Sequence, residues 1–328
     1  MKILVTGGAG YIGSFMSKIL LDKGYEVVVF DSLERGYKEA IDSRAQFVQG
    51  DVKNISELEK LFLGNNIDVV MHFAGYISVE ESTNYPDLYR ENNIVGSENL
   101  FNSAINKGNV KNFIFSSSAA VYGNPTKIPI LEDHPTNPMS PYGQTKLEAE
   151  GFLKSLQKNN PSIGFACLRY FNACGAALDA SIGENHNPET HIMPLAIKAI
   201  LEDKEFSLFG TNYDTTDGTC VRDYIHVLDL VDAHVKVMDR LIEKKEGFIY
   251  NVGIGKGYSN KQVIEAIEKV SGKKMKIRRA ERRSGDADVL VADPTKIKQE
   301  LNFNPKYSDL ETIVKTAWLW HKKQKLET

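Results

Sequence analysis

Tyr142 and Lys146 lie one helical turn apart and could act together in proton transfer. Residues 141–158 are predicted to form a helix, so side chains at positions i and i+4 share one face. A phenol titrates at about pH 10, and a nearby ammonium favours the phenolate, so we expect a lowered pKa for Tyr142. Ser118 ends a predicted strand, where its hydroxyl could hold the same substrate oxygen. These residue types suit hydride transfer at an alcohol carbon.

A glycine-rich turn near the amino terminus indicates a dinucleotide site. Gly7, Gly10 and Gly13 lie between the first predicted strand and the first predicted helix. Small residues there let the backbone approach a pyrophosphate, which N–H groups at the helix N-terminus can bind. Asp31 follows at roughly the 20-residue offset of an acid that binds the adenosine ribose, which favours NAD over NADP despite basic residues nearby. Asp51 could contact the adenine or cap the next turn.

The elements that position these residues follow from an alternation of short β-branched segments with helical patterns. This alternation predicts a parallel sheet covered by crossover helices. A polar segment over 172–194 then marks the expected start of a second domain, and another strand at 221–227 precedes a helix at 228–241. The strands predicted in the first half are 3–6, 27–30, 45–49, 69–73, 113–116 and 165–168.

Composition excludes several other classes of protein. The net charge is −3 and charges of both signs are mixed, so nucleic acid is not an expected partner. The three cysteines include no CxxC pair, which argues against disulfides and thiolate zinc sites and fits a reducing cytoplasm. The apolar segment at the amino terminus is far shorter than a signal peptide or membrane span. We therefore expect a soluble, cytoplasmic protein.

Two histidines of the polar segment are weak candidates for metal binding. His186 and His191 flank a Pro-containing loop. A metal site would need at least one further convergent ligand, and none can be identified from the sequence. The expectation is that no metal is bound.

The chain resembles the UDP-glucose 4-epimerases of the extended short-chain dehydrogenase/reductase family along nearly its whole length. The similar segments are 6–13, 72–75, 115–123, 140–146, 168–172 and 221–227. The resemblance implies an α/β protein whose Rossmann-type, doubly wound parallel sheet binds NAD (1–171, with a return at about 221–252). A smaller α/β carboxy-terminal domain (172–220 and 253–328) would bind a UDP-sugar. It also implies a homodimer that acts in galactose metabolism by epimerising C4 through a transient 4-keto sugar.

The resemblance also implies roles for individual residues. The catalytic residues would be Ser118, Tyr142 and Lys146. Cofactor contacts would come from Gly7, Gly10, Tyr11, Ile12, Gly13, Asp31, Asp51, Val52, Phe73, Ala74, Gly75, Asn92, Tyr142, Lys146 and Tyr170. Substrate contacts would come from Ser118, Tyr142, Asn172, His191, Phe209, Arg222, Arg283, Asp286 and Leu290.

Alternative functions stay open at this point. A nucleotide-sugar 4,6-dehydratase would need an acid/base pair after the Ser118 strand, where this chain has Ala119 and Ala120, which cannot transfer protons. A non-catalytic NAD-binding sensor would not need the Ser-Tyr-Lys set. Many relatives have Lys where this chain has Ile77, which leaves the retention of NAD open. Leu290 is intermediate between residues that exclude and admit N-acetylated sugars, and acceptance of pentose sugars is equally open.

Overall fold

The computed structural model describes residues 1–282 and 286–327 and divides into two compact units. Unit 1 comprises Met1–Tyr122, Thr136–Arg169 and Val231–Tyr250, and unit 2 comprises Gly123–Pro135, Tyr170–Leu230 and Asn251–Thr328.

The strands are β1 (Lys2–Thr6), β2 (Glu26–Asp31), β3 (Gln46–Gln49), β4 (Val69–His72), β5 (Asn112–Ser118), β6 (Gly164–Tyr170), β7 (Asn172–Cys174), β8 (Glu205–Phe209), β9 (Val221–His226), β10 (Gly247–Val252), β11 (Gly257–Ser259), β12 (Lys276–Ala280) and β13 (Val289–Leu290). The α-helices are α1 (Tyr11–Asp22), α2 (Ile55–Leu63), α3 (Val79–Asn84), α4 (Pro86–Tyr89), α5 (Gly96–Asn106), α6 (Pro141–Asn159), α7 (Ile192–Leu201), α8 (Val227–Lys244), α9 (Asn260–Ser271), α10 (Thr295–Leu301) and α11 (Leu310–Glu327). Short 3₁₀ turns cover Lys38–Ala40 and Ala119–Tyr122, and a π-helical segment covers Arg90–Val95.

Unit 1 is built on a seven-stranded sheet with the order β10-β6-β5-β4-β1-β2-β3. β1 pairs in parallel with β2 and β4, β2 with β3, and β4 with β5. The strand order reverses beside β1, as in a doubly wound sheet whose ligands bind beyond the carboxyl ends of the strands. The predicted Rossmann-type fold is confirmed.

The central strands consist almost entirely of buried apolar residues because the sheet is covered on both faces. Leu4, Val28, Val70 and Phe113 are all within 1% of full burial. They share one core cluster with residues of α2, α5 and α6. Burying side chains of this size is the main stabilising contribution to such a unit.

Unit 2 has β9 at the centre of its small sheet. β11 pairs with β9 in the antiparallel sense, whereas β7 and β13 pair with it in parallel. β8 and β12 form a separate parallel pair. Helices α7, α9 and α11 bury a second core cluster that contains Met193, Ile197, Val263 and Ile313.

The structure matches the strands and helices predicted from the periodicity to within two or three residues at their ends. The six early strands are β1 to β6, the predicted strand at 221–227 is β9, and the helices predicted at 141–158 and 228–241 are α6 and α8. Cys167, Cys174 and Cys220 are free and buried. Within residues 1–282 and 286–327, no helix has both the length and the apolar composition that crossing a bilayer requires.

Candidate active site

Helix α6 begins with a sequence that fixes the position of Tyr142 in its first turn. Ser140 is the N-cap, and its hydroxyl accepts a hydrogen bond of 3.1 Å from the backbone N–H of Gly143. Pro141 follows at N1, where the missing N–H costs nothing. A Cβ at Gly143 would lie 2.6 Å from the carbonyl oxygen of Ala120, so glycine lets this turn pack closely against the end of β5.

This packing brings together the three predicted catalytic residues. The Ser118 side chain, at the end of β5, forms a hydrogen bond with Tyr142. Lys146 is buried, and its Nζ donates a hydrogen bond of 2.8 Å to the carbonyl oxygen of Ser116. The same Nζ lies 5.9 Å from the centroid of the Tyr142 ring and 5.0 Å from that of Phe115.

The polypeptide alone does not lower the pKa of Tyr142 as the sequence analysis expected. Burial raises this pKa, although the hydrogen bond from Ser118 opposes the change. Burial also lowers the pKa of Lys146 to about 8. The reason is that the ammonium contacts a carbonyl oxygen and an aromatic face rather than the phenolic oxygen, so removal from water dominates for both groups.

The glycine-rich turn has the backbone geometry that a pyrophosphate site needs. Gly7 has φ +71°, and a Cβ there would lie 2.5 Å from the backbone nitrogen of Ala74. A Cβ at Gly13 would lie 2.2 Å from the carbonyl oxygen of Gly7. Gly10 is the N-cap of α1, and no side chain among the described residues caps this helix. The turn therefore presents the N-terminus of α1 to an anion, as NAD requires.

The two acidic residues of the predicted cofactor site have different surroundings. Asp31 is buried at the end of β2 and accepts hydrogen bonds of 2.9 Å from the backbone N–H groups of Ala9 and Leu33. Its burial raises its pKa. Asp51 accepts a hydrogen bond of 2.8 Å from the backbone N–H of Lys53 and pairs with its ammonium at 3.3 Å. Asp51 thus caps the turn after β3, which was one of its two expected roles.

The remaining predicted cofactor residues of unit 1 lie near the turn, near Lys146 or in the core. A Cβ at Gly75 would lie 3.5 Å from Nζ of Lys146. The Phe73 ring lies 5.2 Å from that of His234. Tyr11 and Ile12 begin α1, and Val52 is buried in the core with Ala74 packed against it. Asn92 is buried within the π-helical segment. Tyr170, the last residue of β6, is a predicted cofactor residue that lies in unit 2 instead.

Asn93 holds the segment after β4 in place and was not predicted from the sequence. The side chain of Asn93 accepts a hydrogen bond from the Tyr76 N–H at 2.8 Å and donates to its carbonyl oxygen at 3.0 Å. The same amide nitrogen lies 3.2 Å from Oγ1 of Thr145 on α6. Asn93 thereby ties the segment that follows Gly75 to the helix of Lys146. The residues around Asn93 are mostly polar, so no hydrophobic periodicity in the sequence indicates that Asn93 is buried.

A buried ion pair that the sequence analysis also missed lies behind Ser118. The carboxylate of Glu150 on α6 accepts hydrogen bonds from Nε and Nη2 of Arg169 on β6, at 2.9 and 2.7 Å. The Ser117 hydroxyl donates to the same carboxylate at 2.6 Å. Nη1 of Arg169 donates to the Tyr122 hydroxyl at 2.9 Å. This network joins α6 to β5, the two elements that carry the candidate catalytic residues, and also to β6.

Unit 2 gathers several of the predicted substrate residues around β9. Arg222 on β9 is mostly buried, and its Nη2 lies 3.6 Å from the Asp286 carboxylate. Leu290 is the strand neighbour of Arg222 across the β13–β9 pairing. The Tyr213 hydroxyl donates to Asp286 at 3.3 Å. The Asp286 carboxylate therefore neutralises the positive charge of Arg222 only weakly, because the ion pair is long.

The other predicted substrate residues are placed individually. Asn172 lies on β7 opposite Tyr224 of β9, Phe209 ends β8, and His191 is the N-cap of α7. Arg283 lies outside the described residues.

The two histidines of the polar loop before α7 have further potential metal ligands beside them, which the sequence did not indicate. Glu184 and Glu189 converge on His186 and His191, and one ligand atom from each residue lies within 4.8 Å of the others. Burial disfavours the charged imidazoles, but the two carboxylates outweigh it and raise the pKa of His191 to about 10 and that of His186 to about 9. The acids carried no signal in the sequence because loop conformation, not a regular period, brings them together.

Comparisons with known proteins identify the family of the chain. The sequence profile of the NAD dependent epimerase/dehydratase family matches residues 3–253. A UDP-glucose 4-epimerase of Lactobacillus helveticus is 45% identical over 323 residues, which cover 98% of this chain and 97% of that protein. A crystal structure of a UDP-glucose 4-epimerase superposes with a TM-score of 0.95 at 41% identity, covering 99% and 98% of the two chains. The Bifidobacterium longum UDP-glucose 4-epimerase in complex with NAD⁺ and UDP gives 0.94 at 38% identity, covering 99% of both.

Proposed function

Because the chain belongs to the NAD dependent epimerase/dehydratase family, we propose that it is an NAD-dependent enzyme that interconverts UDP-glucose and UDP-galactose by epimerisation at C4. The observation that carries the proposal is the hydrogen bond between Ser118 and Tyr142 with buried Lys146 one helical turn away. The named activities of the relatives support the substrate. Galactose metabolism is the setting that such an activity would serve.

The residues of unit 1 fit NAD. Gly7, Gly10 and Gly13 would leave room for the pyrophosphate at the N-terminus of α1, and Asp31 would accept hydrogen bonds from the adenosine ribose. Lys146 would bind the nicotinamide ribose. NAD bound there would supply the acceptor and donor of the hydride that leaves and returns to the sugar.

The protein's own part of the chemistry is proton transfer at the 4-hydroxyl of the sugar. Tyr142 removes this proton while the hydride leaves C4, and Ser118 holds the oxygen through a second hydrogen bond. Because burial raises the pKa of Tyr142 in the polypeptide, the phenolate must gain stabilisation when ligands bind. The positive charge of a bound oxidised nicotinamide, together with that of Lys146, would act in that direction. The product of this half-reaction is a 4-keto sugar.

Inversion at C4 requires that the sugar present both of its faces in turn. We assign binding of the UDP group to unit 2, with Arg222, Asn172 and Asp286 as contacts, together with Arg283. A guanidinium suits a diphosphate because it donates two parallel hydrogen bonds. Firm binding of the diphosphate and weak binding of the hexose would let the keto sugar turn about its phosphate linkage before the hydride returns.

The test is an assay of the full-length chain with UDP-glucose and UDP-galactose, each followed by chromatography. We expect each sugar to yield the other, no net production of NADH, and release of NAD on denaturation. Tyr142→Phe should lower kcat by about 10²–10⁴-fold while the bound NAD is kept. Formation of a 4-keto-6-deoxy sugar would contradict the proposal and indicate a dehydratase. Unchanged baseline turnover in Tyr142→Phe would favour the non-catalytic sensor.

The range of sugars accepted is part of the same proposal. Leu290, which neighbours Arg222, is larger than the small residues expected to admit N-acetylated sugars and smaller than Tyr. We propose that UDP-glucose and UDP-galactose are the main substrates. Parallel assays with UDP-N-acetylglucosamine and UDP-xylose measure this preference. The cytoplasmic homodimer expected from the sequence is also proposed, and light scattering of the purified protein tests its oligomeric state.

A further inference from the structure

The loop that precedes α7 brings four potential metal ligands together within unit 2. Nδ1 of His191 lies 2.7 Å from Oε1 of Glu184 and 3.3 Å from Oε1 of Glu189. Nδ1 of His186 lies 3.1 Å from Oε1 of Glu184 and 3.8 Å from Oε1 of Glu189. The Nδ1 atom of each imidazole thus lies within 4 Å of both carboxylates.

These separations are close to those of a four-coordinate metal site. Zinc binds His nitrogen and carboxylate oxygen at about 2.0–2.2 Å, so the ligand atoms of a tetrahedral site are about 3.4 Å apart. The four nitrogen–oxygen distances lie on both sides of that value. Small rotations of the side chains would therefore suffice to bind an ion.

Hydrogen bonding within the cluster is incomplete, which favours binding of a cation. Oε2 of Glu189 is buried and has no hydrogen-bond partner in the described part of the chain, and the side chain is only 5% exposed. Nδ1 of His191 is also buried and, within those residues, makes no well-aligned hydrogen bond, although an oxygen of Glu184 is 2.7 Å away. Buried polar atoms without partners are costly, and a metal ion satisfies several at once.

The loop is held in place from outside the cluster. Nε1 of Trp320 on α11 donates a hydrogen bond of 2.9 Å to the carbonyl oxygen of Glu184. The Trp320 ring also packs on Gly183, where a Cβ would lie 2.5 Å from it. Such outer contacts orient ligands and raise the affinity of a metal site.

We propose that Glu184, His186, Glu189 and His191 form a binding site for a zinc-type divalent transition metal. Two imidazoles with two carboxylates suit zinc and its neighbours, whereas Mg²⁺ and Ca²⁺ prefer sites made of oxygen ligands alone. Because the bound ion would join two ends of the loop before α7, its role is to hold that loop and His191 in one conformation. The alternative is a metal-free network of charged histidines and carboxylates.

The test uses the untagged full-length chain, stripped with EDTA and dialysed against Zn²⁺ at graded concentrations with elemental analysis of the bound metal. We expect one equivalent of zinc at saturation, a rise in Tm, and no displacement by Mg²⁺ at equal concentration. His186→Gln and Glu189→Gln should each weaken Zn²⁺ binding at least tenfold. His134→Gln is the matched control, since it removes a histidine of unit 2 outside the cluster and should leave binding unchanged.

A second measurement covers variants that fold poorly. Co²⁺ added to the stripped wild-type chain should give the visible absorption of a four-coordinate site, and Zn²⁺ should abolish it. Failure of the wild-type chain to bind Zn²⁺ would overturn the proposal and leave the charged network. Wild-type affinity in His186→Gln would also overturn it. Neither readout depends on epimerase activity, so the proposal can fail while the proposed function stands.

Discussion

Replacing Glu150 with Gln should destabilise the protein strongly although the side chain keeps its shape. Glu150 and Arg169 are 0% and 2% exposed, and two hydrogen bonds of 2.9 and 2.7 Å join them. The substitution removes the negative charge that Glu150 places beside the buried guanidinium, and losing one partner of a buried pair costs about 3–5 kcal/mol. Because the amide oxygen can still accept a hydrogen bond, we expect a loss near the lower limit, about 3 kcal/mol.

The assay is urea-induced unfolding followed by circular dichroism, at one pH and salt concentration. Glu148→Gln is the matched control on the same helix, since Glu148 pairs with Arg90 at 3.2 Å where both side chains are partly exposed. It should cost no more than about 0.5 kcal/mol. Replacing the whole pair, as in Glu150→Leu with Arg169→Met, should recover much of the loss because no buried charge then remains. Equal effects of Glu150→Gln and Glu148→Gln would refute this reasoning.

Three further predictions test the turn, the lysine and the helix cap. Gly13→Ala should cost about 1–3 kcal/mol and release NAD, because its Cβ would meet a backbone oxygen at 2.2 Å. Gly151→Ala on α6 is the control, because no described atom lies within 4 Å of its Cβ, and it should instead stabilise the protein by about 0.5–1 kcal/mol. The free energy of unfolding and the NAD content are measured for both variants. Equal effects of the two substitutions would contradict the reasoning. Burial lowers the pKa of Lys146 from 10.5 to about 8, so between these values the unfolded chain binds more protons and stability should rise with pH, by about 2 kcal/mol from pH 8 to 10. Lys146→Met should flatten that rise in urea midpoints, and an unchanged slope would contradict the assignment. Ser140→Ala should cost about 1 kcal/mol in the same assay through loss of the cap, and no loss would show that the cap contributes nothing.

The fold could be predicted from the sequence because its signals are local. Buried parallel strands such as β1 and β4 are continuous apolar segments, and the glycines of the first turn follow β1 directly. Tyr142 and Lys146 share a helix, so their proximity follows from helical geometry alone. The place of Ser118 beside them follows from the rule that ligands collect at the carboxyl ends of parallel strands. Each of these inferences needs only neighbouring residues or one general topological rule.

The parts that could not be predicted depend on contacts between distant residues. Glu150 and Arg169 meet across α6 and β6, and a sequence alone does not say that a charged position of a helix is buried. The prediction of a lowered pKa for Tyr142 was wrong for a related reason. The helix places the Lys146 side chain on the same face as Tyr142. Burial and the hydrogen bond to the Ser116 carbonyl, however, decide what the ammonium contacts and how the pKa values of Lys146 and Tyr142 change.

The network of Glu150 also explains why the catalytic residues stay in place while one of them carries an unfavourable buried charge. Lys146 and Glu150 lie one turn apart on α6, and the hydrogen bonds of Glu150 reach Ser117 on β5 and Arg169 on β6. The helix is therefore attached to both strands just behind the Ser118–Tyr142 hydrogen bond. Such an attachment resists movement of α6 relative to β5 and β6, because that movement would break charge-assisted hydrogen bonds. The strongly bonded ion pair thus stabilises a position that the lysine alone would not hold.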